Sequence, residues 1–190
     1  MDDDALLARQ AELQREAATF VRELGLVEIL GHAGRVVQLG GAITGLMVWR
    51  DVDFGVDAPG LTAEAAWETM RPVLARCSSL RYANDHAERR HYFVMGIEGW
   101  KVDVSLWFTG MPPGVEAFQA ELPARLTQES RLAILRLKDV WHRMPQYPED
   151  VSAWEIYDAV LNDGVRTADE FDVFLAERGL PTRARSGDAA

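Results

Sequence analysis

The stretch Gly40–Asp57, GGAITGLMVWRDVDFGVD, decides how this chain reads. A glycine pair closes the apolar run RVVQL, and Asp51 and Asp53 then stand one residue apart in RDVDFGV, which otherwise has the texture of a strand. Side chains two apart on a strand project to the same face. Asp51 and Asp53 therefore point together, while Val52 and Phe54 point into a core. Two like charges so placed repel, and a cation relieves the repulsion. Hard divalent ions such as Mg²⁺ take oxygen ligands, commonly a few carboxylates together with substrate phosphates.

A further carboxylate sits in a matching context. In KVDVSLW, Asp103 is flanked by Val102 and Val104. If that strand neighbours the one bearing Asp51 and Asp53, three carboxylates converge on one patch. Such a set, with Mg²⁺, suits in-line phosphoryl or nucleotidyl transfer, and one carboxylate can help deprotonate an attacking hydroxyl. Gly40 and Gly41 end one strand and open a short helix over residues 42–48. Without side chains they let backbone N–H groups approach a phosphate at a helix start. Gly45 permits a second close approach, and Thr44 offers a hydroxyl.

Working outward, residues 4–24 read as an amphipathic helix with Ala17, Phe20, Val21 and Leu24 on one face. Residues 26–30 are apolar and fit either a short helix or a strand. RVVQLGG and RDVDFGV are strands, Thr62 caps a helix reaching about Cys77, and LRYAN, HYFVMGI and WKVDVSLWF are further strands. Glu98-Gly99 forms a tight hairpin turn between the last two. After TGMPPG the strand texture stops. Helices are expected at about 115–121, 127–143, 150–162 and 168–178, the last opened by a Thr167/Glu170 capping box. This is an α+β organisation: an α+β domain over residues 1–110, a boundary near Pro112-Pro113, a helical subdomain over 114–180, and a disordered tail over 181–190.

LGG, nine residues, DVDF, and a later VDV on a strand resemble the pattern of the nucleotidyltransferase fold of the DNA polymerase β superfamily. The resemblance covers about residues 35–108, and the chain is most similar to small bacterial antibiotic and minimal nucleotidyltransferases. It implies a mixed β-sheet flanked by helices. It implies Asp51 and Asp53 as metal ligands, Asp103 as third ligand and base, and Gly40-Gly41 at the phosphates of an NTP such as ATP. Many members carry serine where this chain has Gly41, so that hydroxyl is missing here.

Composition narrows the partners. The chain has 190 residues, 48% hydrophobic and 26% charged, with a net charge of −10. An acidic surface does not suit a protein that coats nucleic acid. The single cysteine, Cys77, excludes an internal disulfide, and no apolar run is long enough to span a membrane. With an acidic start, MDDDALLARQ, these features point to the cytoplasm. Arg131, Leu135 and Lys138 share a helix face, from which Lys138 can serve the nucleotide's phosphates. Lys101, two residues before Asp103, is a partner for a phosphate or carboxylate. Arg89 and Arg90 read as surface residues. Trp49 and Trp107 flank the site and either stack on a ring or line the wall. Trp141, Trp154 and Tyr157 pack the helical part, and Glu155, Asp158 and Asp163 offer negative charge to a cationic acceptor. His32, His86, His91 and His142 lack ligand spacing. The expectation is a Mg²⁺-dependent enzyme moving an NMP from an NTP to a hydroxyl of a small-molecule acceptor. The alternatives are a toxin-like enzyme modifying tRNA or protein, and a degenerate, nucleotide-binding or regulatory form of the fold.

Overall fold

A five-stranded mixed sheet carries the aspartates. The computed structural model describes residues 2–183. Its strands are β1 (Arg35–Leu39), β2 (Asp51–Asp57), β3 (Cys77–Asp85), β4 (Arg90–Ile97) and β5 (Trp100–Trp107), in the order β1-β2-β5-β4-β3. β2 and β5 run parallel, and the other neighbours are antiparallel. Positive φ at both Glu98 and Gly99 closes the tight β4–β5 turn, the twist a two-residue hairpin needs. The helices are α1 (Asp3–Leu24), α2 (Leu26–Gly31), α3 (Gly41–Thr44), α4 (Ala63–Leu74), α5 (Pro113–Arg125), α6 (Gln128–Trp141), α7 (Ala153–Leu161) and α8 (Ala168–Glu177). The chain divides into two compact units, Ala11–Pro123 and Met1–Gln10 with Ala124–Ala190.

In the first unit, alternation sorts the sheet into two faces. Val52, Phe54 and Val56 of β2, Phe93, Met95 and Ile97 of β4, and Val102, Val104 and Leu106 of β5 are buried together. They pack with Ala17, Phe20, Val21 and Leu24 of α1, Leu26 and Leu30 of α2, and Ala66, Met70 and Val73 of α4. Each large apolar side chain so buried contributes about 1.5–3 kcal/mol, and the opposite face is left for polar groups. The ambiguous 26–30 segment is helical. α3 stops at Thr44, short of residue 48, because Gly45 turns left-handed with φ 70°. β3 extends well beyond LRYAN, since β4 offers it partners from Asp85↔Arg90 to Cys77↔Ile97.

This unit also runs past Pro112-Pro113 to Pro123. α5 is tied back to the sheet. Both Nη atoms of Arg35 donate to the Glu116 carboxylate at 3.0 and 2.9 Å, and the Gly40 N–H donates to Gln119 Oε1 at 3.1 Å. The proline pair marks the change of texture from strand to helix, and tertiary bonds keep α5 with the strands.

The second unit is helical. Thr127, Ser152 and Thr167 cap α6, α7 and α8, each with a reciprocal side-chain bond from the third helical residue. Trp141 and Phe171 meet edge-to-face at 5.4 Å in its core, with Ile156, Val160 and Leu175 buried as well. Trp154, expected in that packing, is instead 51% exposed, at the first turn of α7. Asp3 at the start of α1 pairs with Arg136 of α6 in this unit. Of the tail expected over 181–190, residues 184–190 lie outside the described residues. Arg183 is anchored to Asp172 through its backbone N–H at 3.1 Å and its Nε at 2.8 Å. Among the described residues no helix is long and apolar enough to cross a membrane.

Candidate active site

The parallel β2–β5 ladder brings the carboxylates together. Asp53 is the direct partner of Asp103, and Asp51 is the partner of Lys101. Because both strands alternate in step, these four side chains share the face opposite the apolar core. Asp103 is buried at 9% exposure. Its Oδ2 accepts from the Tyr92 hydroxyl at 2.7 Å and from Lys101 Nζ at 2.9 Å. Lys101 Nζ also lies 3.5 Å from Asp51 Oδ1. The other oxygen of Asp103, Oδ1, is buried and lacks a hydrogen-bond partner. Such an orphaned acceptor is costly in a folded protein unless a cation or donor meets it.

Charge sets the protonation of this cluster. Burial works against the Lys101 ammonium, but Asp51 and then Asp103 outweigh it and hold the group above its ordinary lysine value. Burial, reinforced by the Asp103 charge, pushes the Tyr92 phenol well above its ordinary value. Tyr92 thus stays a hydrogen-bond donor at neutral pH. Both donors address one oxygen, so Asp103 is clamped in orientation.

The glycine turn packs against this cluster. A Cβ on Gly40 would stand 1.9 Å from Asp53 Oδ2, and Gly40 has φ 74°. Only glycine combines that backbone with that approach. A Cβ on Gly41 would meet the Leu46 carbonyl oxygen at 3.0 Å. Gln14 Nε2 donates to the Ala42 carbonyl at 2.8 Å, which braces α3. Thr44 is buried, and its hydroxyl donates to the Gly40 carbonyl at 3.0 Å. The hydroxyl expected at the phosphates is here committed to holding the turn.

Tyr92 escaped the sequence reading, and Arg90, expected at the surface, is partly buried. Arg90 is half-buried on the same sheet face, with Nη1 donating to Ser105 Oγ at 3.0 Å and its guanidinium 4.4 Å from the Tyr92 ring centre. The signal was present in RHYFVMGI: Arg90, Tyr92 and Val94 alternate with the core residues His91, Phe93 and Met95. What the sequence lacked was the antiparallel pairing that sets Val94 against Asp103 and Tyr92 against Ser105. Trp107 is buried against Gly55, whose missing side chain makes room for its ring.

Lys138 lies in the second unit, 5% exposed, with Nζ 3.5 Å from the Tyr157 hydroxyl and 5.8 Å from that ring centre. The carboxylates thought to face a cationic acceptor have local partners. Glu155 accepts from the Ser152 N–H at 2.7 Å, Asp158 accepts from Asn162 Nδ2 at 2.7 Å, and Asp163 pairs with Arg178 at 3.3 Å.

Among the described residues no group of three or more His, Cys, Asp or Glu side chains is disposed to hold a metal ion as placed. At the aspartate cluster the Lys101 ammonium stands with Asp51 and Asp103. The donor set nevertheless fits a hard divalent cation: its atoms are carboxylate oxygens on one face, and the buried Oδ1 of Asp103 lacks a hydrogen bond.

No family model matches the chain, and no curated protein matches it. Solved structures do. The Cid1 poly(U) polymerase is similar over 66% of this chain and 40% of its own, at 15% identity and TM-score 0.51. A cytoplasmic RNA terminal U-transferase is similar over 83% of this chain and 51% of its own, at 14% identity and TM-score 0.54. The polymerase core of TRAMP, an RNA surveillance complex, is similar over 86% and 55%, at 12% identity and TM-score 0.53. The chain thus spans about half the length of the structures it matches. A mixed sheet in this order, with a glycine turn before the paired aspartates, is the fold this chain shares with these transferase and polymerase structures.

Proposed function

We propose that this chain is a metal-dependent nucleotidyltransferase that moves an NMP from an NTP to an acceptor hydroxyl and releases pyrophosphate. The observation that carries the reading is the β2–β5 register, which pairs Asp53 with Asp103 and keeps Asp51 on the same face. Asp51, Asp53 and Asp103 are the residues that would hold Mg²⁺. When bound, the ion supplies charge neutralisation of the triphosphate and polarisation of the attacked phosphorus.

The chain's own groups do the rest. Asp103, held in orientation by Tyr92 and Lys101, is the carboxylate that would draw the proton from the acceptor hydroxyl. The Gly40-Gly41 turn stands beside Asp53, where its backbone would meet the phosphates. Thr44 preserves that turn through its bond to the Gly40 carbonyl. The acceptor is a small molecule, because a chain of net charge −10 repels a polyanion. An RNA end is the second reading, favoured by the likeness to an RNA terminal U-transferase and to the polymerase core of an RNA surveillance complex.

The test is transfer of label from α-labelled NTPs with Mg²⁺, offered to amine-rich small molecules, tRNA and a whole lysate. The expected result is label in the small-molecule fraction, lost in Asp103→Asn. Label confined to RNA selects the second reading, and label unaffected by Asp103→Asn sinks the assignment.

A further inference from the structure

We propose that Lys101 is a tethered counter-ion of the carboxylate site, and that a divalent cation must displace its ammonium from Asp51 and Asp103 in order to bind. The inference rests on the metal-binding reading of Asp51, Asp53 and Asp103 given above. Its own basis is the placement of Lys101 Nζ, 2.9 Å from Asp103 Oδ2 and 3.5 Å from Asp51 Oδ1. An ammonium there neutralises part of the repulsion among the aspartates, which is the same electrostatic task a metal performs. The two cations exclude one another. A divalent ion binds carboxylate oxygens at about 2.0–2.1 Å, which brings like charges into contact range of the same oxygens.

Lys101 is built to leave. Its ammonium sits on a flexible four-carbon stem, and its side chain is 36% exposed. Tyr92 keeps its bond to Asp103 Oδ2 when Lys101 departs, so the carboxylate stays oriented. A triphosphate bound with the ion offers the released ammonium anionic oxygens in place of the carboxylates. Metal and nucleotide therefore bind with positive coupling, and metal alone binds weakly.

The experiment measures Mn²⁺ binding directly, by titration calorimetry and by the electron spin resonance of free Mn²⁺, on the full chain. The forms compared are the natural chain, Lys101→Met, Lys101→Gln and Asp51→Asn, with folding checked by circular dichroism. The expected result is Mn²⁺ affinity raised about tenfold or more in both Lys101 variants. Mn²⁺ should also raise their melting temperatures more than that of the natural chain. Lys101→Gln keeps the length and a hydrogen-bond donor, and carries the test if Lys101→Met fails to fold. Affinity unchanged or weakened in a folded Lys101 variant, with the natural chain binding Mn²⁺ and Asp51→Asn not, overturns this inference and leaves the metal assignment standing. Failure of every form to bind, or binding indifferent to Asp51→Asn, overturns both.

Discussion

Asp53 lies against the backbone of Gly40, with its Oδ2 only 1.9 Å from where a Cβ on Gly40 would stand. The glycine turn is thus a structural complement of the second aspartate, in addition to any part it plays toward phosphates. β1 delivers this contact, because Leu39, the residue before Gly40, is the antiparallel partner of Asp53.

Gly40→Ala should therefore be costly twice over. The methyl collides with the carboxylate, and the backbone at φ 74° is strained for any other residue. A loss of at least about 2 kcal/mol is expected in urea denaturation, together with loss of label transfer. A variant as stable and active as the natural chain would show that the turn relaxes freely.

Gly41→Ser restores the hydroxyl many nucleotidyltransferases carry there. Here its Cβ meets the Leu46 carbonyl at 3.0 Å, and Leu46 is fully buried. Thermal denaturation should show a destabilisation of about 1–2 kcal/mol. A raised melting temperature would mean that the Leu46 segment gives way without cost.

Tyr92→Phe removes one of the two donors on Asp103 Oδ2 and leaves the ring in place. Asp103 loses a charge-assisted bond, so stability should fall by about 1–3 kcal/mol. Transfer should fall in kcat more than in KM, because the orientation of Asp103 is what has been loosened. Unchanged kcat in Tyr92→Phe would remove Tyr92 from the site's working parts.

His142 predicts a pH dependence in the helical unit. Its Nδ1 lies 2.8 Å from the Lys138 carbonyl, and burial lowers the ring below its ordinary 6.5. The unfolded chain then takes up the proton first. The contribution to stability is present above about pH 6.5 and is lost as pH falls through the lowered value. His142→Asn keeps a donor for the carbonyl and should flatten the acid side of the melting-temperature profile between pH 7 and pH 5 (a window of about two units spanning the ordinary value). An identical slope in the variant would assign that acid sensitivity to other groups.

What the sequence determined by itself was local. Alternation placed Asp51 with Asp53 and opposed them to Val52 and Phe54, and a left-handed pair at Glu98-Gly99 made the hairpin, because both depend only on neighbours along the chain. Thr62, Thr167 and Glu170 marked helix starts for the same reason. The tertiary structure alone decided which strands meet. Only the β2–β5 parallel register sets Asp53 beside Asp103, and only β4 pairing on β5 turns Tyr92 toward it. It also decided how polar groups far apart in the chain are spent: the Lys101 ammonium on Asp51, and α5 on the sheet through Arg35–Glu116. Hydrogen bonds and charges choose partners by distance in space, and residues 50 or more apart in sequence acquire that distance only when the sheet closes.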